Sequence, residues 1–148
     1  MLLKDQSEAT YILAIYVTED LKIRVGQLGK VSFKKGDYLY IGSAKGCLEK
    51  RLQRHLRKEK RIFWHIDYLL KNKNVKILQI WTIDKKVECQ AAELFCQDPA
   101  IKIIKKGFAS SYCKCLTHLF FIKDKMKAEK ILKEIGFSVY YSFQNLYF

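Results

Sequence analysis

An unbroken run of aliphatic, β-branched and aromatic side chains from Tyr11 to Thr18 is the strongest constraint on what this chain can fold into. Side chains of that kind favour a buried, pleated strand. The aliphatic centre of the run, Ile12 to Ile15 and on to Val17, is far too short to cross a bilayer, which needs about twenty apolar residues. Lys4, Asp5, Ser7 and Glu8 interrupt the N-terminus, so the basic-then-apolar pattern of a signal peptide is not met. No membrane role is expected. A buried strand needs partners, and the remaining sequence must supply them.

The partners can be read along the chain. Leu21 to Leu28 is expected to form a hairpin with the first strand, with the stretch from Gly26 to Gly29 marking a turn. Asp37 to Ser43 is the next strand, entered through Lys35-Gly36 and left through Gly42 and Gly46. Helices are predicted over Leu48–Lys58, Phe63–Lys71, Val87–Cys96 and Lys125–Glu134, the last ended by Gly136. Further strands are predicted over Val75–Ile83, Leu119–Ile122 and Ser138–Phe148. Asn145 to Phe148 look like part of a protease-cleavage tag and carry little weight. Strands, then helices, then a mixture imply an α+β fold, with a small, largely antiparallel sheet flanked by helices. Pro99 is the sole proline and no long linker or repeat appears, so residues 1–148 read as one domain.

Charge narrows the partner. Lys and Arg number 28 against 15 Asp and Glu, a formal net charge of +13. Lysine spread over a surface often serves only solubility. Clustering argues for more. Between Lys45 and Arg61 eight cationic residues face only Glu49 and Glu59, a net +6 in one short segment. That density suits a polyanion and makes nucleic acid the expected partner. Lys45, Lys50, Arg54, Arg57 and Lys58 are the candidate phosphate contacts. The five cysteines are odd in number and scattered, which implies reduced thiols and a cytoplasmic setting.

Helical spacing selects the candidate site residues. Leu48, Leu52 and Leu56 recur every fourth residue and form the expected buried stripe of the basic helix. Arg51 and His55 border that stripe, whereas Arg54 and Arg57 point towards solvent. A guanidinium so placed could grip phosphate. The plain alternatives are a salt bridge for Arg51 and a core-edge histidine for His55. On the third helix, Val87, Ala91, Leu94 and Phe95 form the apolar stripe. Glu88 lies at its border and Glu93 on the far side, so Glu88 is the candidate ligand for a hard divalent cation. A helix N-terminus also favours a glutamate without any metal. Tyr11 and Tyr40 sit on adjacent strands, with Tyr38 on the face of Tyr40; a phenol can orient water, although strand tyrosines more often only pack.

These residues bring a family resemblance into view. Tyr40-Ile41-Gly42 closes a strand, Arg51 and His55 follow on a helix, and Glu88 follows on a later one. The order resembles the second half of the GIY-YIG nuclease signature, with Tyr11 in the place of the first tyrosine. One uncharacterised branch, whose members can be attached to endonuclease III-type repair enzymes, is closer still. It shares the run from Gly36 to Ala44, Arg54-His55-Leu56, the block from Trp64 to Leu70, and Gly107-Phe108, Cys113-Lys114-Cys115 and His118-Leu119. Ala9 replaces a usual glycine and Tyr112 a usual aspartate, and Leu21 to Lys34 adds an extra hairpin. The resemblance implies a GIY-YIG-like fold and hydrolysis of phosphodiesters with Mg²⁺ or Mn²⁺ on Glu88. It further implies Arg51 stabilising the phosphoryl group, Tyr11 or Tyr40 handling water, and His55 relaying a proton or positioning the first tyrosine. A link to DNA repair, and a repair-protein partner, come with it. The competing functions are a nucleic-acid-binding module without catalysis and an interaction module for a repair enzyme.

Cys113, Cys115 and His118 are metal-type ligands at short spacing, with His65 as a candidate fourth for zinc. The intervals do not match a zinc finger. The preferred sequence reading is therefore a turn into the Leu119 strand with a buried thiol and a hydrogen-bonded histidine. Trp64 and Tyr68 are expected in the core before any role in stacking on bases.

Overall fold

The computed structural model describes residues 8–110 and 113–142. The first strand, β1 (Glu8–Val17), lies inside a six-stranded sheet, and both its edges are hydrogen-bonded. Antiparallel β4 (Gly36–Lys45) pairs along one edge and antiparallel β5 (Val75–Ile83) along the other. Beyond β4 come β7 (Leu119–Ile122) and β6 (Ile101–Ile103); beyond β5 comes β8 (Ser138–Ser142). Every neighbouring pair is antiparallel. The chain has an α+β fold, as its sequence implies.

The hairpin expectation is corrected. β2 (Leu21–Arg24) pairs with β3 (Lys30–Phe33) in a separate two-stranded sheet across a 3-10 turn at Gly26–Leu28. With both edges of β1 occupied, no position beside it is left for β2. The burial pattern of β2 alternates between half-buried and exposed, unlike the nearly continuous burial of β1.

The side chains of β1 alternate between two cores. Tyr11, Leu13, Ile15 and Val17 face one core, together with Tyr38 and Tyr40 of β4. Helix α1 (Leu48–Leu56) contributes Leu52 there, helix α2 (His65–Leu70) contributes Ile66, Leu69 and Leu70, and β3 adds Val31 and Phe33. Ile12 and Ala14 face the other core, with Trp81 of β5. Helix α3 (Glu88–Gln97) covers that side with Ala91, Ala92 and Phe95, and α4 (Lys125–Ile135) with Ala128 and Leu132. The sheet is thus sandwiched between two helical layers, which explains why β1 reads as a continuous apolar run. No helix among the described residues is long and apolar enough to cross a membrane.

Two predicted helical stripes shift round their helices. On α1 the buried partner of Leu52 is His55, while Leu56 is 40% exposed. On α3, Ala92 takes the buried place expected for Leu94, which is 44% exposed. The shift on α1 has a polar cause, because His55 finds a hydrogen-bonding partner inside the core. Helix α1 also ends at Leu56, two residues short of the expectation, and α2 begins at His65 instead of Phe63. Of the predicted strand from Ser138, residues 143–148 lie outside the described residues, as does Tyr112.

Asp67 organises the start of α2. Its carboxylate is fully buried and accepts from the backbone N–H groups of Phe63 and Trp64, both at 2.9 Å. The guanidinium of Arg54 approaches in a fork, with Nη1 and Nη2 donating at 3.0 and 2.8 Å to its two oxygens. Burial alone would raise the Asp67 pKa; the Arg54 bonds and the two backbone donors outweigh it and hold the carboxyl below its ordinary value. Asp67→Ala removes the cap and leaves Arg54 unpaired, and it is expected to cost about 3 kcal/mol. Urea denaturation checks this value, and an unchanged midpoint would show that the fork contributes nothing.

Candidate active site and metal centre

The site forms where one end of β1 meets the end of β4. Register places Tyr11 directly opposite Gly42. The Tyr11 ring lies across that glycine, and a Cβ on Gly42 would fall 2.4 Å from its Cζ and 2.5 Å from its hydroxyl oxygen. The Tyr-Ile-Gly triplet therefore needs its glycine to make room for the phenol, a packing need and not a turn. Gly42→Ala is expected to push the Tyr11 ring aside and destabilise the fold by roughly 1–3 kcal/mol. A structure of the variant, together with a melting curve, tests both statements.

Tyr11 Oη lies 2.7 Å from His55 Nε2, and both residues are buried. Burial is the main cause of the high Tyr11 pKa, with the Arg51 charge pulling the other way. Tyr40 is also raised well above its ordinary value, again chiefly by burial and next by Tyr11. His55 is driven down to about 3, first by burial and then by the charge on Lys60. At neutral pH the phenol keeps its proton and the imidazole is uncharged. The 2.7 Å contact suits the positioning of Tyr11, one of the two roles expected for His55. Among the described residues His55 Nδ1 has no hydrogen-bond partner, so protonation would bury an uncompensated charge on the imidazole.

The pH dependence of stability follows from that depressed pKa. The neutral His55 contributes fully above the unfolded value near 6.5, and the contribution is lost as pH falls towards about 3. Between pH 7 and pH 4 the linked loss is on the order of 2–3 kcal/mol. A His55→Gln variant should show a flatter profile over that interval by urea denaturation, and parallel profiles would refute the linkage.

Arg51 is placed by three surfaces. Its Nη1 donates to the Ser43 carbonyl at 2.9 Å, its guanidinium carbon lies 4.5 Å from the Trp64 ring centroid, and it lines the cleft beside Tyr11. The salt bridge weighed for it is absent among the described residues. Trp64, expected in the core, packs against it half-buried and is also a platform for both Arg51 and Arg54. Tyr68 packs against the partner core, close to Gly26.

Glu88 opens α3 and reaches the same cleft. Thr10, which no spacing or motif singles out, ties this turn to β1. Its Oγ1 donates to the Lys85 carbonyl at 2.7 Å and accepts from Val87 N–H at 2.9 Å. The resulting cleft, about 410 Å³, brings together Tyr11, Tyr40, Arg51 and Glu88. Phe63, 75% exposed, stands at its rim. Among the described residues lining the cleft, Arg51 is the one basic side chain of lysine or arginine type and Glu88 the one carboxylate.

The proposed phosphate contacts separate into two groups. Lys45, Lys50 and Arg57 are exposed. Arg54 is instead committed to Asp67 and to the Arg61 carbonyl. Lys58 is committed to the carbonyls of Leu70, Asn72 and Val75, at 2.9, 2.8 and 2.5 Å. These two cations help to hold the fold together, Lys58 through backbone carbonyls and Arg54 through a buried carboxylate.

The cysteine reading is corrected as well. Cys89, Cys113, Cys115 and His118 converge, with their ligand atoms all within 4.8 Å of one another, and this group could hold a metal ion. Cys113 Sγ lies 3.4 Å from His118 Nε2. His65 is not part of the group; its Nδ1 accepts from Ala109 N–H at 2.9 Å. Sequence spacing missed Cys89 because it comes from α3, far along the chain from the other three. Cys113 and His118 also line the cleft that holds Glu88. Burial lowers the His118 pKa, opposed by the Glu88 charge, which leaves the imidazole in its ligating neutral form at neutral pH.

A family model described as a domain of unknown function, DUF123, matches residues 10–140. The chain belongs to that family. No curated protein and no solved structure matches it. The matched span contains the whole cleft, from Tyr11 to His118.

Proposed function

We propose that this protein is a metal-dependent nuclease that hydrolyses phosphodiester bonds in nucleic acid, DNA before RNA, with the GIY-YIG-like arrangement its sequence resembles. The supporting observation is the convergence of Tyr11, Tyr40, Arg51 and Glu88 in one cleft, with His55 behind Tyr11. These residues come from β1, β4, α1 and α3, so chain proximity alone does not bring them together.

The donor set suits a hard divalent cation, Mg²⁺ or Mn²⁺, on Glu88. The single carboxylate is half-buried and faces a cleft open to water, and Mg²⁺ commonly takes one or two carboxylates with water and phosphate completing its shell. When bound, such a cation would supply positive charge to the phosphate and lower the pKa of a bound water. Arg51, fixed by Ser43 and Trp64, would grip the phosphoryl oxygens and offset the charge that grows there. The Tyr11 hydroxyl, held by His55, would orient the attacking water, with the Tyr40 phenol beside it. The thiolate-rich group next to the cleft suits a softer ion, with zinc the natural choice. Lys45, Lys50 and Arg57 would draw the backbone of the substrate by charge. A role in DNA repair, in the cytoplasm and beside a repair-protein partner, completes this reading.

Cleavage of labelled duplex, single-stranded and branched DNA and RNA with Mg²⁺ or Mn²⁺ tests the proposal. Arg51→Ala and Glu88→Ala are each expected to lower the rate by about 10²–10³-fold, with binding retained. Salt-sensitive binding without cleavage by the wild type would overturn the nuclease reading in favour of a binding module. Neither binding nor cleavage would leave the interaction module.

A further inference from the structure

We propose that Cys89, Cys113, Cys115 and His118 hold a zinc ion that fastens the first turn of α3 to the loop leading into β7. The assignment goes beyond the nuclease reading and does not depend on it. It starts from an unusual meeting of side chains. Three thiols and one imidazole, from a helix and from a loop more than twenty residues further along, bring every ligand atom within 4.8 Å of the others. Tetrahedral zinc with sulfur at about 2.3 Å sets thiolate sulfurs roughly 3.8 Å apart. The observed spread needs only a small contraction to reach that arrangement. The Cys113 Sγ to His118 Nε2 separation, 3.4 Å, already matches the sulfur–nitrogen edge of such a tetrahedron, about 3.5 Å.

The donor set chooses the ion. Three sulfurs and an imidazole nitrogen are soft or borderline ligands and match zinc in preference to magnesium or calcium. Four protein ligands also fill the tetrahedron and leave no position for water, so the ion would be structural and not hydrolytic. There is structural work for it to do. Among the described residues no side chain caps the N-terminus of α3, and the turn is tied to β1 through Thr10. Cys89 belongs to that first turn, next to Glu88, whereas Cys113 and His118 form part of the wall of the same cleft. The ion would join these two pieces of the wall. The other cysteines, Cys47 and Cys96, are exposed and stand outside the group, which accounts for the odd total of five.

Native alkylation of the full, reduced chain, read by intact mass, tests the proposal with no substitution. In the zinc-loaded protein iodoacetamide should modify Cys47 and Cys96 alone; after removal of the ion by a chelator all five thiols should react. Cys89 is exposed, so burial by itself cannot protect it. Cobalt in place of zinc should give the intense visible bands of a tetrahedral thiolate site. Those bands should be lost in Cys113→Ser and Cys115→Ser and kept in Cys47→Ser and Cys96→Ser, with circular dichroism reporting that each variant is folded. Labelling of Cys89 that zinc does not slow, cobalt spectra without thiolate bands, or a disulfide within the group in the protein as purified would each overturn the assignment. None of these results depends on whether the protein cleaves nucleic acid.

Discussion

The contact between Tyr11 and His55 joins the sheet to the helical layer that carries the basic segment. Tyr11 belongs to the central strand, where a large phenol can be buried only if its hydroxyl finds a partner and its ring finds space. His55 Nε2 supplies the partner at 2.7 Å, and the missing side chain of Gly42 supplies the space. β1, β4 and α1 are thereby fixed relative to one another by a single side chain. Arg51 lies one helical turn before His55, so the same contact sets its height over the end of β4. From there its guanidinium reaches the Ser43 carbonyl. The Arg51 side of the cleft inherits its geometry from the core.

Net charge alone overstates what the basic segment can offer to a polyanion. Arg54 neutralises the fully buried Asp67, Lys58 gathers three carbonyls around the end of α2, and Lys60 donates to the His55 carbonyl at 2.8 Å. Lys60 is lowered to about 8, first by burial and with Asp67 opposing, as expected for an ammonium used partly inside the fold. Such cations still contribute to the long-range field, but their donors are not free to close on a phosphate. Arg51 differs from Arg54 in being held, among the described residues, by a carbonyl and an aromatic ring and not by a carboxylate. A basic run is therefore a mixture of structural and available charge, and only the partners of each cation separate the two.

The fold was legible wherever local pattern and tertiary demand agree. The run from Tyr11 marked the central strand because burial on both faces leaves no polar alternation, and α4 was legible through its spacing and its Gly136 stop. The pairing of β2 was not legible, since nothing within Leu21 to Leu28 says that both edges of β1 are already taken. Periodicity placed Leu56 inside and His55 at the border; the core chose His55, because a buried hydroxyl on another strand made an imidazole worth burying. Arg51 and Glu88 were correctly placed at helix borders facing inward, which spacing can show. Thr10, the platform role of Trp64 and the fourth member of the cysteine group could not be read, since each depends on two segments that meet only in the folded chain.

The first turn of α3 shows how two chemistries can share one short piece of backbone. Glu88 and Cys89 are neighbours, and consecutive helical residues project about 100° apart. One faces the cleft with Tyr11 and Arg51, and the other joins Cys113, Cys115 and His118. A hard oxygen donor and a set of soft sulfur donors are thus adjacent in sequence and border the same cleft. The small buried residues that follow, Ala91 and Ala92, let this part of α3 sit against the sheet, where bulkier side chains would hold it off. Close seating brings the turn within reach of Thr10 on β1. Two alanines in the core therefore matter to the cleft as much as the charged residue they help to place.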